Sequence, residues 1–354
     1  MRALALLPLA LTLAACSDQG VSFVKEDPII IDDGIIRGRV CDPSGRTWLP
    51  DALAYVNIVD ENGVIYDTKQ AFSDLDGRWE IADLPGERSY TVYVQYGSQT
   101  LLTEEVYIAS GATVDLPEPD CFDPIALDVA IVTGDYDDFD ILLDRMGFAN
   151  YDLVDGQDAT TVRDFLANPE ALARYDIIFF NGGFVEDGVI YNSTDPTDAV
   201  VAQNVQNVVD YVNAGGSIYA SDWAYDLVEV AWPDRVDFVG ADEIRDDAQL
   251  GDYETVNAAI SDAAMSEFLG KQYLEVDYDL PVWPPIESTA SLVSTHLTGT
   301  VPYSDGLSDY TLTSVPLLVS FNAGSGKVAF STFRMARNAN QDMVNVLQYM
   351  MYNL

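Results

Sequence analysis

The chain has 354 residues, of which 58 are Asp or Glu and 17 are Lys or Arg, giving a formal charge of −41. Phosphate contacts need basic side chains, so the charge argues against a nucleic-acid partner. The length points to two domains, because single cores seldom grow past about 250 to 300 residues.

The acid surplus fits solubility first, in a salty medium where screening shortens the reach of self-repulsion. Calcium binding is the second explanation, since clustered carboxylates are its preferred ligands, and calcium is the only cofactor that the composition suggests. Residues 1–16 carry one charge, Arg2, then an apolar run from Ala3 to Leu13 broken only by Pro8 and Thr12. That run is about half of the roughly 20 residues needed to cross a bilayer, which marks a signal peptide rather than a span. Leu13-Ala14-Ala15-Cys16 resembles the lipobox of bacterial lipoproteins. The resemblance implies export, cleavage before Cys16 and acylation of its thiol, with the membrane as a partner through the lipid anchor. Ser17 is not the Asp that signals inner-membrane retention in many enteric bacteria, so the outer membrane is favoured. Residues 17–34 are polar and acidic around Ile29-Ile30-Ile31 and read as a tether.

From Ile35 to Leu116 short apolar stretches alternate with turns. Ile35 to Val40, Ala54 to Val59, Arg78 to Ile81 and Tyr90 to Val94 read as strands, divided by Pro43-Ser44-Gly45, Glu61-Asn62-Gly63 and Leu84-Pro85-Gly86. Strands at this spacing without a helical period predict a β-sandwich. Gly38-Arg39-Val40, Gly45, Asp51-Ala52, Ser73 to Trp79 and Leu84-Pro85-Gly86 resemble the carboxypeptidase regulatory-like domain, a transthyretin-like sandwich of the immunoglobulin type. The resemblance implies a spacer or adhesion module. Asp74-Leu75-Asp76-Gly77 is a turn rather than a calcium loop, because Pro85 stands where an EF-hand needs its last Glu. Cys41 and Cys121 read as one disulfide in an oxidising compartment, the alternative being two separately buried thiols. Residues 117–124, with Pro117, Pro119 and Pro124, form a stiff linker.

Beyond it, in residues 125–354, the pattern changes to strands alternating with helices. Leu127 to Val132, Tyr175 to Phe180 and Ser217 to Ala220 read as buried strands, and Asp138 to Met146 and Ala199 to Asn213 as helices. Pro316 to Phe321 and Lys327 to Ser331 read as paired strands, and Gln341 to Tyr352 as a closing helix. The alternation predicts a parallel sheet with helices on both faces. Residues 236–312 are less patterned and read as an insertion covering one edge.

Gly215 to Asp226 resembles the nucleophile turn of the class I glutamine amidotransferase-like fold, a flavodoxin-like sheet. Laid ungapped, the family's cysteine falls on Asp222, and its distal Phe-His-Pro-Glu falls on Phe333-Arg334-Met335-Ala336. An Asp and an Arg supply neither thiolate nor imidazole, so the resemblance implies a site that has lost its chemistry. Asp222 and Arg334 are expected to face each other as an ion pair. The rival is a hydrolase with relocated machinery, built from Ser221, Asp222 and the single histidine, His296. Asp135, Asp137, Asp138 and Asp140 follow the first strand of this sheet, where they either start a helix or hold Ca²⁺ or Mg²⁺. Asn181-Gly182-Gly183 at the same edge would let backbone amides approach a ligand. Trp223, Trp232 and Trp283 are core residues or platforms for sugar rings. Together these observations predict a non-catalytic cell-envelope lipoprotein with a binding or assembly role, its partner an envelope protein or a glycan.

Overall fold

The computed structural model describes residues 31–41, 48–50, 52–60, 63–96, 99–117, 127–146, 148, 151–241, 245, 247–248, 250–336 and 340–354. Cys16, the tether before Ile31, Cys121 and the linker beyond Pro117 lie outside them. Seven strands come first: β1 (Gly34–Arg39), β2 (Leu53–Val59), β3 (Ile65–Phe72), β4 (Arg78–Leu84), β5 (Arg88–Tyr96), β6 (Gln99–Ile108) and β7 (Thr113–Asp115). They form a three-stranded sheet in the order β4-β1-β7 and a four-stranded one in the order β3-β2-β5-β6. Alternation decides which side chains go in. In β2, Ala54, Val56 and Ile58 are buried, and in β4 Trp79 and Ile81 are. Both sheets contribute to one apolar cluster, where each large side chain is worth roughly 2 kcal/mol on burial. Asp74 closes the turn after β3 by accepting from the amides of Asp76 and Arg78, both at 2.9 Å. Cys41 is buried and disulfide-bonded, and its pairing with Cys121 lies outside the described residues.

The second part begins with β8 (Val129–Val132), α1 (Phe139–Arg145), β9 (Tyr151–Val154), α2 (Ala159–Leu166), α3 (Pro169–Leu172), β10 (Ile177–Phe180) and α4 (Ala199–Asn213). It continues with β11 (Ser217–Ser221), a single 3-10 turn (Asp222–Ala224), α5 (Tyr225–Ala231), β12 (Val236–Phe238), β13 (Leu250–Gly251) and β14 (Glu254–Ile260). The remainder is α6 (Ala263–Leu269), β15 (Tyr273–Tyr278), β16 (Ile286–Thr289), β17 (Val293–Ser304), β18 (Asp309–Ala323), β19 (Gly326–Ser331) and α7 (Gln341–Asn353). One sheet runs β15-β14-β17-β18-β19-β11-β10-β8-β9. The five strands β9-β8-β10-β11-β19 are parallel, and β18, β17, β14 and β15 continue antiparallel.

Taken in chain order, the parallel half has the order 2-1-3-4-5 of a flavodoxin-like sheet. Its strands are buried on both faces, so they read as unbroken apolar runs. Ile177 and Phe179 of β10 face a cluster with α1 and α7, while Ile178 and Phe180 face one with α2, α4 and α5. Helix starts are set by short polar side chains: Asp158, Asn168, Asp198, Asp262 and Asn340 each accept from first-turn amides. Residues 236–312 do more than cover an edge. They supply β14, β15 and β17, which extend the sheet by hydrogen bonding, and β12 and β16, which pair with each other. Half-exposed antiparallel strands carry weaker apolar runs than buried parallel ones, and for that reason the segment looked unpatterned.

Candidate functional site

In a sheet of order 2-1-3-4-5 the order reverses between β8 and β10, and ligands of such folds bind beyond the carboxyl ends of the strands there. The residues at those ends are Gly134 to Asp138 after β8, Asn181 to Gly183 after β10, Ser221 as the last residue of β11 with Asp222 after it, and Thr332 to Ala336 after β19.

Asp137 lies at the centre and is fully buried. Its carboxylate accepts from the amides of Met335 at 3.0 Å and Ala336 at 2.9 Å, and from the Ser221 hydroxyl at 2.9 Å. Asn181 Nδ2 donates to the backbone oxygen of Asp137 at 2.9 Å. Burial pushes the Asp137 carboxyl up despite these donors. Asp222 follows Ser221 with φ +49°, a conformation that costs an L residue on the order of 1 to 2 kcal/mol. Such a strained strand-to-helix turn is the device that lifts a nucleophile above the sheet in α/β-hydrolases. Here the turn lifts an acid. Asp222 is 1% exposed, and its Oδ1 is buried without a hydrogen-bond partner. Burial first, then the charge of Asp137, holds its carboxyl well above the usual range, against the opposing pull of Arg334. The hollow between Asp222, Tyr278, Trp283, Thr332, Phe333 and Arg334 measures about 10 Å³, room for at most one water.

The ion pair expected between Asp222 and Arg334 is not the one formed. Among the described residues Arg334 pairs with Asp279, just after β15, and its Nη1 donates to Tyr136 O at 3.4 Å. Asp279 is half exposed and keeps part of its hydration, whereas ionising the enclosed Asp222 would carry the full cost of burying a charge. The acids of residues 135 to 140 do not converge either. Asp135 is exposed while Asp137 turns inward, and no group of three metal-ligating side chains occurs among the described residues. The chain at Asn181, Gly182 and Gly183 is closely packed. A Cβ on Gly182 would sit 2.8 Å from Asp222 Cβ, and one on Gly183, with φ +82°, would sit 2.7 Å from the Tyr136 ring. Trp283 and Trp232 are buried and closed to sugar, and Trp223 packs edge-on against Tyr225.

Ser221 and His296 are not brought together. His296 lies on β17, three strands from β11, about 14 Å at the usual strand spacing. Its Nδ1 lies 2.7 Å from Asp262 Oδ2 and its Nε2 lies 2.8 Å from Ser320 Oγ. Ser221, Asp222 and His296 therefore do not form one constellation. Sequence reasoning missed Asp262, Asp279 and Ser320. A cap signal, Asp262 ahead of a helical run, and a lone hydroxyl inside the apolar run of β18 marked two of them, whereas nothing local marks Asp279.

Fold and strand tips together define a doubly wound α/β protein with a nucleophile-type turn that carries no nucleophile. No family profile matches the chain, and no curated protein matches it. Among solved structures, a cytoplasmic protein from Salmonella typhimurium is similar at 16% identity, over 64% of this chain and 97% of that one, with a TM-score of 0.41. A protein described as ThuA-like from Bacteroides uniformis is similar at 8% identity, over 64% and 91%, with a TM-score of 0.39. PurLQS from Thermotoga maritima is similar at 11% identity, over 64% and 97%, with a TM-score of 0.38.

Proposed function

We propose that the chain is an exported lipoprotein of the cell envelope, anchored through Cys16 and most consistent with the outer membrane. In this reading residues 17–34 are a tether, and residues 35–116 a transthyretin-like β-sandwich stapled to the 117–124 linker by Cys41 and Cys121. Residues 125–354 are an amidotransferase-like scaffold that serves binding or assembly, with an envelope protein or glycan as partner and no cofactor.

One observation carries the functional part. An acid stands at the nucleophile's turn, its carboxyl pushed well up by burial, beside a hollow of about 10 Å³ that leaves no room for a substrate. Amide transfer by this route needs a thiolate, a base to form it and space for the amide. Asp222 and Arg334 provide none of these. The test is ammonia release from glutamine by the purified mature protein. The expected rate equals that of buffer, and turnover abolished by Asp222→Ala would refute the proposal.

A further inference from the structure

The chain's single histidine lies in the antiparallel half of the sheet, away from the blocked strand tips. Along the β17–β18 pair Thr295 faces Val319 and Leu297 faces Leu318, so His296 is the extra residue of a β-bulge. Bulges re-aim a side chain that regular pairing would send elsewhere. The imidazole is thereby set between an acid and a hydroxyl, with Asp262 Oδ2 at 2.7 Å from Nδ1 and Ser320 Oγ at 2.8 Å from Nε2.

Asp262 is itself fixed. Its Oδ1 accepts from the amides of Ala264 at 2.9 Å and Met265 at 3.3 Å at the start of α6, and its Oδ2 accepts from the Tyr349 hydroxyl at 2.9 Å. Partial burial raises its pKa, but the hydrogen bonds from His296 and Tyr349 outweigh that and hold it at about 2. An ionised carboxylate only accepts, so Nδ1 must carry the proton. In the tautomer with the proton on Nδ1, Nε2 presents a lone pair, and the Ser320 hydroxyl donates to it. The histidine is buried and the serine is partly open to solvent.

We infer that Ser320, His296 and Asp262 form a nucleophile, base and orienter that hydrolyse small uncharged esters. Such a constellation is recognised by geometry and roles rather than by chain order. Ser320 Oγ attacks the ester carbonyl carbon while its proton passes to His296 Nε2. The ester C–O bond breaks, the leaving oxygen takes that proton, and an acyl-serine remains. Water then attacks the acyl carbon, gives its proton to Nε2, and releases the carboxylic acid as Oγ regains a proton. The formal charge of −41 repels anionic substrates, so neutral esters are favoured. The inference stands independently of the reading of the strand tips.

The test is a fluorophosphonate probe applied to the full chain, followed by intact mass and peptide mapping. One adduct per chain on the peptide holding Ser320 is expected. His296→Gln should slow labelling by about a hundredfold or more, the usual worth of a positioned base. Asp262→Asn should slow it without moving the adduct. The wild-type map needs no variant to fold: absence of an adduct, or an adduct on Ser221 or any other serine, overturns the inference. A His296→Gln chain that unfolds cooperatively yet labels at the wild-type rate overturns it as well.

Discussion

Asp222 and Asp262 are the same residue type beside the same sheet, yet their environments drive them in opposite directions. Asp262 receives two amides, a phenol and an imidazole, and stays ionised down to about pH 2. Asp222 is buried with one oxygen lacking any donor, and its carboxyl is pushed well above the usual range. Asp137 stands between them, rich in donors but so deeply buried that its carboxyl is still pushed up. Donors and water access, weighed against each other, decide whether an acid in this fold is a charged orienter or a neutral plug.

The largest effect expected is at Asp137. Asp137→Ala would strand two amides and a hydroxyl in the core, costing about 3 to 5 kcal/mol in urea denaturation. A loss under about 1 kcal/mol would mean that water replaces the carboxylate. Asp262→Ala comes next. It removes the cap of α6 and the partners of Tyr349 and His296, for about 2 to 3 kcal/mol. The pH dependence follows from the sign of the shift. A carboxyl lowered to about 2 adds stability above its unfolded value, and that stability fades as pH falls toward 2. The variant should therefore lose least in acid.

Asp222→Asn should act the other way. A carboxyl raised by folding binds more protons in the native state, so its contribution falls as pH climbs above the unfolded value near 4. The asparagine should stabilise the protein at neutral pH and do nothing in acid below the unfolded value, as read by urea denaturation at the two pH values. Equal stabilisation at both pH values would point to relief of the positive φ instead. Smallest is Arg37→Ala, which breaks a half-exposed pair with Glu80 at 2.6 Å and should change stability by less than about 0.5 kcal/mol.

Much of this arrangement could be read from the chain. The runs at Leu127 to Val132, Tyr175 to Phe180 and Ala199 to Asn213 fall on β8, β10 and α4, because buried parallel strands and a long amphipathic helix leave unmistakable patterns. The turn at Asp222 was legible through its Gly-rich approach, Gly215-Gly216. What surrounds that turn was not. Asp279 reaches Arg334 from 55 residues away in sequence, and Asp137 meets Ser221 across 84. Such partners are set by topology, and no local period encodes them. Strand β3 was missed for a simpler reason: most of its side chains are exposed, so it carries no clean alternation.

Asp222 plugs the strand tips as an acid whose carboxyl burial holds well above the usual range. A carbon-detected titration of aspartate carboxyls, with Asp222 assigned through the Asn variant, reads this directly. The predicted result is a titration midpoint well above the free value near 3.9. A midpoint at or below that free value would mean that the acid is charged and solvated, and would contradict it.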